Sequence, residues 1–376
     1  MKLKYKINTI LKYNNELKES PNINCIEAIL LGNKCLCITN SKNVFIFNKI
    51  FRLIQKIDLS VRIFPKNMIP ILNYPNLFAL QEDNFVHIYE VQLKKKKEKV
   101  KLKRRVAKPK NYLNKTFYMY SLSCADILYF FVDNFFIYNI KNESFTYKKF
   151  SLTGKKYKES QYYIQIIKIL EYKKNELIIL LREFLYGEED LNYNCEVNIR
   201  NSIVLFDLEN SVVKKIYITN EDSGEYNTYM CSYRFDTFGD KTFSNDQNIF
   251  IINNSIVYIK DHRKDYGETF NYSFYIINIL NGDIKYKFED TITSKSFQFL
   301  FLFYRFQKSI YLCDNIFLFN GYELVVKKNE IEQNKIDIIY GTNDDDYKNN
   351  MYCYIKLKKN LFLLYNSHEI KICEFH

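Results

Sequence analysis

Residues Asn201–Ile218 read NSIVLFDLENSVVKKIYI. An apolar run ends in Phe206-Asp207, a short polar turn follows, and a second run begins. Apolar strand, polar turn, apolar strand is the pattern of a β-hairpin. The same shape recurs as NVFIFNK from Asn43, FVHIYEV from Phe85, FFIYNI from Phe135, SFYIINI from Ser273, NIFLFNG from Asn315 and EIKICEF from Glu369. All seven units end in an apolar residue, usually aromatic, followed by Asn, Asp or Glu. The endings are Phe47-Asn48, Tyr89-Glu90, Tyr138-Asn139, Phe206-Asp207, Ile277-Asn278, Phe319-Asn320 and Cys373-Glu374.

Most units follow a second short apolar run and a tight turn: CLCITNSKN, LFALQEDN, LYFFVDN, SIYLCDN and LFLLYNSH. Successive endings lie about 40 to about 70 residues apart, the shortest near the repeat length of a propeller blade. Each unit thus supplies strands that cannot bury both faces alone, and stacking neighbours would bury them. A β-sandwich or two smaller barrels would also use strands of this kind.

The repeat resembles a degenerate WD-repeat β-propeller over nearly the whole chain. In that family the third strand of each blade ends in Trp-Asp; the aromatic packs between blades and the carboxylate fixes the neighbouring turn. Phe206-Asp207 is the best match here. Phe or Tyr with Asn or Glu stands in most other units, and the family's Gly-His dipeptide is absent. The resemblance implies an all-β fold: a seven-bladed β-propeller of four-stranded antiparallel blades. The final segment, LFLLYNSHEIKICEFH, supplies only two strands, so the N-terminal strand at residues 3–7 is expected to complete the last blade and close the ring. Seven blades of about 42 residues need about 300. The surplus falls in polar insertions near 187–200, 220–248, 262–271 and 329–350. No linker divides the chain, so residues 1–376 are expected to form a single propeller domain. Within the fifth unit, NIFIINNSIVYIKD (Asn248–Asp261) reads either as its first two strands or as a hairpin of its own.

Composition agrees. The 376 residues are 47% hydrophobic and 26% charged, with only nine Gly and five Pro, an ordinary globular balance. Richness in β-branched and aromatic residues favours strands. Lys, Asn, Ile, Tyr and Phe have A+T-rich codons, which accounts for part of their excess. No secretory h-region opens the chain and no apolar run approaches a membrane span. Nine scattered Cys without a C-x-x-C suit reduced thiols in the cytoplasm or nucleus.

No catalytic or cofactor motif is found: no P-loop, G-x-G-x-x-G, G-x-S-x-G or H-E-x-x-H. The four His stand at no metal-ligand spacing, and the acidic clusters at 188–190 and 344–346 lie in insertions. No enzyme activity, cofactor, metal or small-molecule ligand is expected.

The net charge is +12, and the window Gln92–Lys110, QLKKKKEKVKLKRRVAKPK, holds eleven cations against one Glu. Lys94, Lys95, Lys96, Lys97, Lys99, Lys101, Lys103, Arg104, Arg105, Lys108 and Lys110 form the candidate contact for an anion or nucleic acid. Phosphate contact gives affinity with little sequence readout; a nuclear-import run and attraction to an anionic membrane use the same charges. The plainer reading is an edge. Val100, Leu102 and Val106 hold even positions with Arg104 interrupting, so Lys99–Val106 is expected as an outer strand whose odd-numbered cations face water and whose Lys residues block edge-to-edge pairing. Lys94–Lys97 is expected as the turn before it. The functional expectation is a non-catalytic protein-interaction scaffold within a larger eukaryotic intracellular complex. The alternative is a ribonucleoprotein or ribosome-assembly component using residues 94–110 on phosphate.

Overall fold

The computed structural model of the chain describes residues 5–12, 27–32, 35–39, 43–58, 68–81, 85–94, 97–112, 118–131, 134–150, 162–186, 196–221, 249–252, 254–262, 269–293, 310–313, 316–319, 322–326, 331–335, 353–358, 361–365 and 369–375. The first strand is β1 (Tyr5–Lys12). The first sheet is β2 (Glu27–Leu31), β3 (Cys35–Thr39), β4 (Asn43–Asn48) and β5 (Leu53–Asp58). The second is β6 (Met68–Pro70), β7 (Leu77–Gln81), β8 (Phe85–Lys94) and β9 (Lys97–Ala107). The third is β10 (Tyr118–Tyr120), β11 (Ile127–Phe131), β12 (Asn134–Asn139) and β13 (Ser144–Lys149). The fourth is β14 (Tyr162–Lys173), β15 (Glu176–Tyr186), β16 (Glu196–Asp207) and β17 (Val212–Glu221). The fifth is β18 (Ile249–Ile252), β19 (Ser255–His262), β20 (Thr269–Asn278) and β21 (Ile284–Thr293). The sixth is β22 (Ile310–Cys313), β23 (Ile316–Phe319), β24 (Tyr322–Val326) and β25 (Ile331–Lys335). The last is β26 (Cys353–Lys358), β27 (Leu361–Tyr365) and β28 (Glu369–Phe375), with β1 as its fourth strand.

Each sheet is an antiparallel meander in chain order, apart from the last. There β1 pairs antiparallel with β28, Tyr5 opposite Phe375 and Lys12 opposite Glu369. The N-terminal strand is longer than the residues 3–7 read from sequence. In the fifth unit, Ile249–Ile252 and Ser255–His262 are the sheet's first two strands.

The second strands explain the uninterrupted apolar runs. In β7, Leu77 and Ala79 pack toward the third sheet, while Phe78 and Leu80 pack toward the first. A strand covered on both faces needs apolar residues at every position, not at alternate ones. Five such clusters join neighbouring sheets: the last to the first, first to second, second to third, third to fourth and fourth to fifth. Sheets stacked face to face in this way are the blades of a propeller.

The expectation of a seven-bladed ring is corrected at this point. Backbone ladders form seven four-stranded sheets, and packing among the described side chains joins six of them into one continuous run of blades. The count from sequence leaned on Phe319-Asn320 as a third-strand ending. Phe319 instead closes the sheet's second strand and pairs with Tyr322, leaving two residues between them. Asn-Gly is the preferred sequence for a two-residue hairpin, so the same surface pattern arose at a different turn.

The other endings do fall on third strands. Phe47, Phe206, Ile277 and Cys373 are wholly buried, and Tyr89 and Tyr138 nearly so. Phe206 packs on Phe135 and Phe150 of the third sheet, with ring centroids 5.4 and 5.2 Å away. The polar partner holds the turn into the fourth strand. Asn48 Oδ1 accepts from the N–H groups of Ile50 and Arg52, Asn139 Oδ1 from Asn142, and Asn278 Oδ1 from Leu280 and Asn281. Asp207 Oδ1 accepts from Glu209 and Asn210. The next residue ties in the turn between strands one and two: Val91, Leu208 and Ile279 donate N–H to the carbonyls of Asn76, Asn175 and Asn254. Ile140 donates instead to Asp126 Oδ2 at 2.7 Å. Glu90 is the exception. β8 runs on to Lys94, and Glu90 accepts from Asn76 Nδ2 and Gln92 Nε2.

Candidate functional site

The basic segment is the β8–β9 hairpin at the outer rim of the second sheet. Lys94 and Lys97 are paired at its tip, so they are strand ends and not the turn expected from sequence; Lys95 and Lys96 lie outside the described residues. β9 spans Lys97–Ala107, slightly longer than expected.

A β-bulge divides this strand. Leu102 pairs with Tyr89 and Arg104 with Ile88, which leaves Lys103 as the extra residue. A bulge shifts the alternation by one and re-aims the side chains beyond it. Val100 therefore packs toward the first sheet and Val106 toward the third, although both are even-numbered. Leu102 is 52% exposed. The odd-numbered cations are exposed as expected: Lys99, Lys101, Lys103 and Arg105, with Lys110 in the turn beyond. Lys103 Nζ lies 4.0 Å from Glu90 Oε1. The Arg105 guanidinium sits 3.5 Å over the Phe85 ring, a stacked cation–π geometry.

Among the described cations, Lys108 and Arg104 are drawn into the fold. Lys108 is buried, at 8% exposure. Arg104 turns toward the third sheet, donates to the Ile140 carbonyl at 2.9 Å and to Tyr138 Oη at 3.4 Å, and pairs with Glu143. Arg104 belongs to a series that sequence reasoning missed. From outer strand to the next sheet's turn, Lys148 donates to the Glu209 carbonyl and Lys215 to the Leu280 carbonyl. Tyr217 Oη donates to the Ile279 carbonyl at 2.8 Å. Gln55 Oε1 accepts from Val100 N–H across the first and second sheets. Gln55, Arg104 and Lys215 each lie next to an outer-strand bulge. The sole sequence signal was Arg104 breaking the even apolar positions.

Burial dominates at the thiols. It raises the Cys37 thiol, with Cys35 adding to the effect, and pushes Cys373 up to about 12. Thiols so placed stay protonated at neutral pH. Among the described residues, no three His, Cys, Asp or Glu side chains come together as metal ligands would, and no helix is long and apolar enough to cross a membrane.

No protein-family model matches the chain, and no curated protein does. Among solved structures, the WD40 domain of Pan2 from Neurospora crassa matches with a TM-score of 0.51 at 8% identity, over 98% of this chain and 95% of that one. The β-propeller domain of Nup133 from Vanderwaltozyma polyspora has a TM-score of 0.46 at 8% identity, over 100% and 98% of the two chains. The WD40 domain of SCAP from fission yeast has a TM-score of 0.35 at 10% identity, over 98% and 74%. Identities this low speak to fold alone, and the sheet topology and the Pan2 likeness agree on it: the chain folds as a β-propeller.

Proposed function

We propose that the chain is a non-catalytic interaction scaffold, one propeller domain over residues 1–376 serving as a subunit of a larger eukaryotic intracellular assembly. The observation that carries this reading is a set of bare apolar side chains at one end of the sheets. Ile50, Leu72 and Leu280 are 71%, 54% and 65% exposed, and each sits on a turn. Turns between strands one and two and between strands three and four share the same end of a meander. Bonds between successive sheets align those ends. Leu72 N–H donates to Ser121 Oγ, Ser123 N–H to Glu171, and Tyr172 Oη to Asn254 Oδ1. Several polar groups at this end are engaged between sheets, and Ile50, Leu72 and Leu280 are apolar side chains there that a partner could cover.

The test replaces Ile50, Leu72 and Leu280 together by Asp. Tagged wild type and variant are purified from native cells, and co-purifying proteins are quantified. Stoichiometric partners should be lost from a variant with an unchanged thermal midpoint. Retention of the same partners would overturn the assignment to this face, and a wild type that carries none would overturn the scaffold reading.

A second reading, nucleic-acid contact through residues 94–110, draws on the exposure of Lys99, Lys101, Lys103, Arg105 and Lys110. It requires RNA affinity near physiological salt and a shallower salt slope when these side chains are neutralised.

A further inference from the structure

The outer strand of each sheet presents a backbone edge, and a bulge is one device that turns such an edge away from pairing. Among the seven outer strands, β1, β5, β9, β17 and β21 each carry at least one. The exceptions are β13 and β25, whose ladders run without a register shift. β13 is the longer of the two, and Phe145, Thr146 and Tyr147 at its centre are strand-forming residues. Among the described residues, no group bonds its outward backbone edge. At β9, by contrast, Val100 N–H already donates to Gln55 Oε1. Lys148, a cation placed to guard the β13 edge, is drawn to the Glu209 carbonyl of the fourth sheet.

This edge is complementary to itself. When two identical strands pair antiparallel, their twofold axis stands perpendicular to the sheet. Each face then meets its own kind, and only residues of equal parity are opposed. Phe145 packs toward the second sheet and Lys148 reaches the fourth, so odd positions share one face and even positions the other. With the axis at Thr146, Phe145 stands opposite Tyr147 and Ser144 opposite Lys148. Just before the strand, Glu143, which also pairs with Arg104, comes opposite Lys149. The register offers two aromatic pairs, a central Thr pair and two pairs of opposite charge, all stabilising across strands. An axis at Phe145 would set Lys149 toward Lys141, and one at Tyr147 would leave neither Lys148 nor Lys149 facing a carboxylate.

We propose that β13 is a strand-addition edge for a second copy of this chain, the two strands pairing antiparallel about a twofold at Thr146. The proposal goes beyond the scaffold reading and does not rest on it. Antiparallel pairing points the apolar turn ends of the two copies in opposite directions, so both stay open to partners. A ladder of six residues is a small interface, and the association is of the weak, reversible kind.

The experiment uses the full chain. Sedimentation velocity from about 2 to about 200 µM should show monomer passing to dimer. Each copy carries a net charge of +12, so added salt should tighten the dimer by screening repulsion, where it would weaken a contact with an acidic partner. Thr146→Lys sets two like charges on the axis and should weaken association about five-fold or more, with an unchanged thermal midpoint. Under mild oxidation Thr146→Cys should give a covalent dimer that dithiothreitol releases, while wild type and Tyr147→Cys should not. A chain that stays monomeric throughout, or a dimer indifferent to Thr146→Lys, would overturn the proposal. A covalent dimer from Tyr147→Cys alone would overturn this register. A monomeric chain that loses a co-purifying protein on Thr146→Lys would give the edge to a strand of another protein. Loss of partners from the Ile50, Leu72, Leu280 variant is independent of all these results and tests the scaffold reading alone.

Discussion

At Asp207 a carboxylate fills the place that Asn48, Asn139 and Asn278 fill in three other sheets. Its charge adds a contact the amides lack: Lys214 Nζ lies 3.0 Å from Oδ2 and 2.8 Å from Glu176 Oε1. Burial alone would raise the Asp207 pKa, but hydrogen bonds from the Asn210 backbone and side chain, with Lys214, outweigh it and hold the carboxyl at about 2 against an ordinary 3.8. Folding therefore favours the charged form. The stabilisation is complete above about pH 4 and is lost as pH falls through the folded value. Asp207→Ala should cost about 1–2 kcal/mol at pH 7, discounted for the solvent-facing side of the turn. In urea unfolding, the gap between wild type and Asp207→Ala should narrow steadily from pH 4 toward pH 2. Asp207→Asn should be milder, since Asn serves the same turn elsewhere; equal losses would show that the ion pair, not the turn, matters. Four residues on, Ser211 has φ 60°, where the equivalent residue of the next sheet is Gly282 at φ 84°. A non-glycine residue in that region is strained, and glycine is not. Ser211→Gly should therefore stabilise by about 0.5–1 kcal/mol, read as a higher urea midpoint with an unchanged slope.

At the scale of the strand, the outer-strand bulge converts a surface cation into a link between sheets. Arg104 reaches the Ile140 carbonyl, Tyr138 and Glu143 because Lys103 is squeezed out of register behind it. Arg104→Ala should lower stability by about 1–2 kcal/mol, a charged hydrogen bond discounted for partial exposure. Amide exchange should quicken in the β12–β13 turn and not in the equivalent turn of the first sheet. Arg104→Lys should recover part of the loss, because Lys148 and Lys215 bond a turn carbonyl from the next two sheets, but it cannot fork onto Glu143 as well. Unchanged exchange in Arg104→Ala would make the contact incidental. The turn endings were legible in sequence and this link was not, for one physical reason. Asn48, Asn139, Asp207 and Asn278 bond their own turn a few residues away, so local turn chemistry betrays them. Arg104 bonds a different sheet through a bulge, and a bulge leaves no mark in a period-two reading beyond the one cation breaking an apolar row. The exposure of Lys99, Lys101, Lys103 and Arg105 was legible; the burial of Lys108 was not. Phe319-Asn320 shows the opposite failure, since Asn-Gly chemistry marks a tight turn without saying which turn of the sheet it is.

For the whole molecule, the decisive element is β1, which brings the two ends of the chain into one sheet. That sheet packs on the first through Leu361, Leu363 and Ile372 against Leu36, Ile38 and Phe47, with Ile10 of β1 partly buried beside them. Lys6, Asn8 and Thr9 are exposed, so β1 is held largely by its backbone ladder. Its register can be tested covalently. Ile7 lies directly opposite Cys373, and directly opposed residues in an antiparallel pair stand at a spacing that a disulfide spans. Ile7→Cys should therefore form a disulfide with Cys373, whereas Asn8→Cys, one position along and on the other face of the sheet, should not. Burial holds the Cys373 thiol up at about 12, so little thiolate exists at neutral pH. The bond should form readily during oxidative refolding and slowly in the folded protein. Because it closes a loop of nearly the whole chain, the entropic model gives about 6 kcal/mol, and the expected stabilisation is a few kcal/mol, up to about 5. The readouts are loss of two titratable thiols, faster migration in a non-reducing gel, and a thermal midpoint that rises and then falls back on adding dithiothreitol. A disulfide in Asn8→Cys but not in Ile7→Cys would place β1 one residue out of this register, and none in either would mean that the N-terminal strand does not hold the last sheet closed in solution.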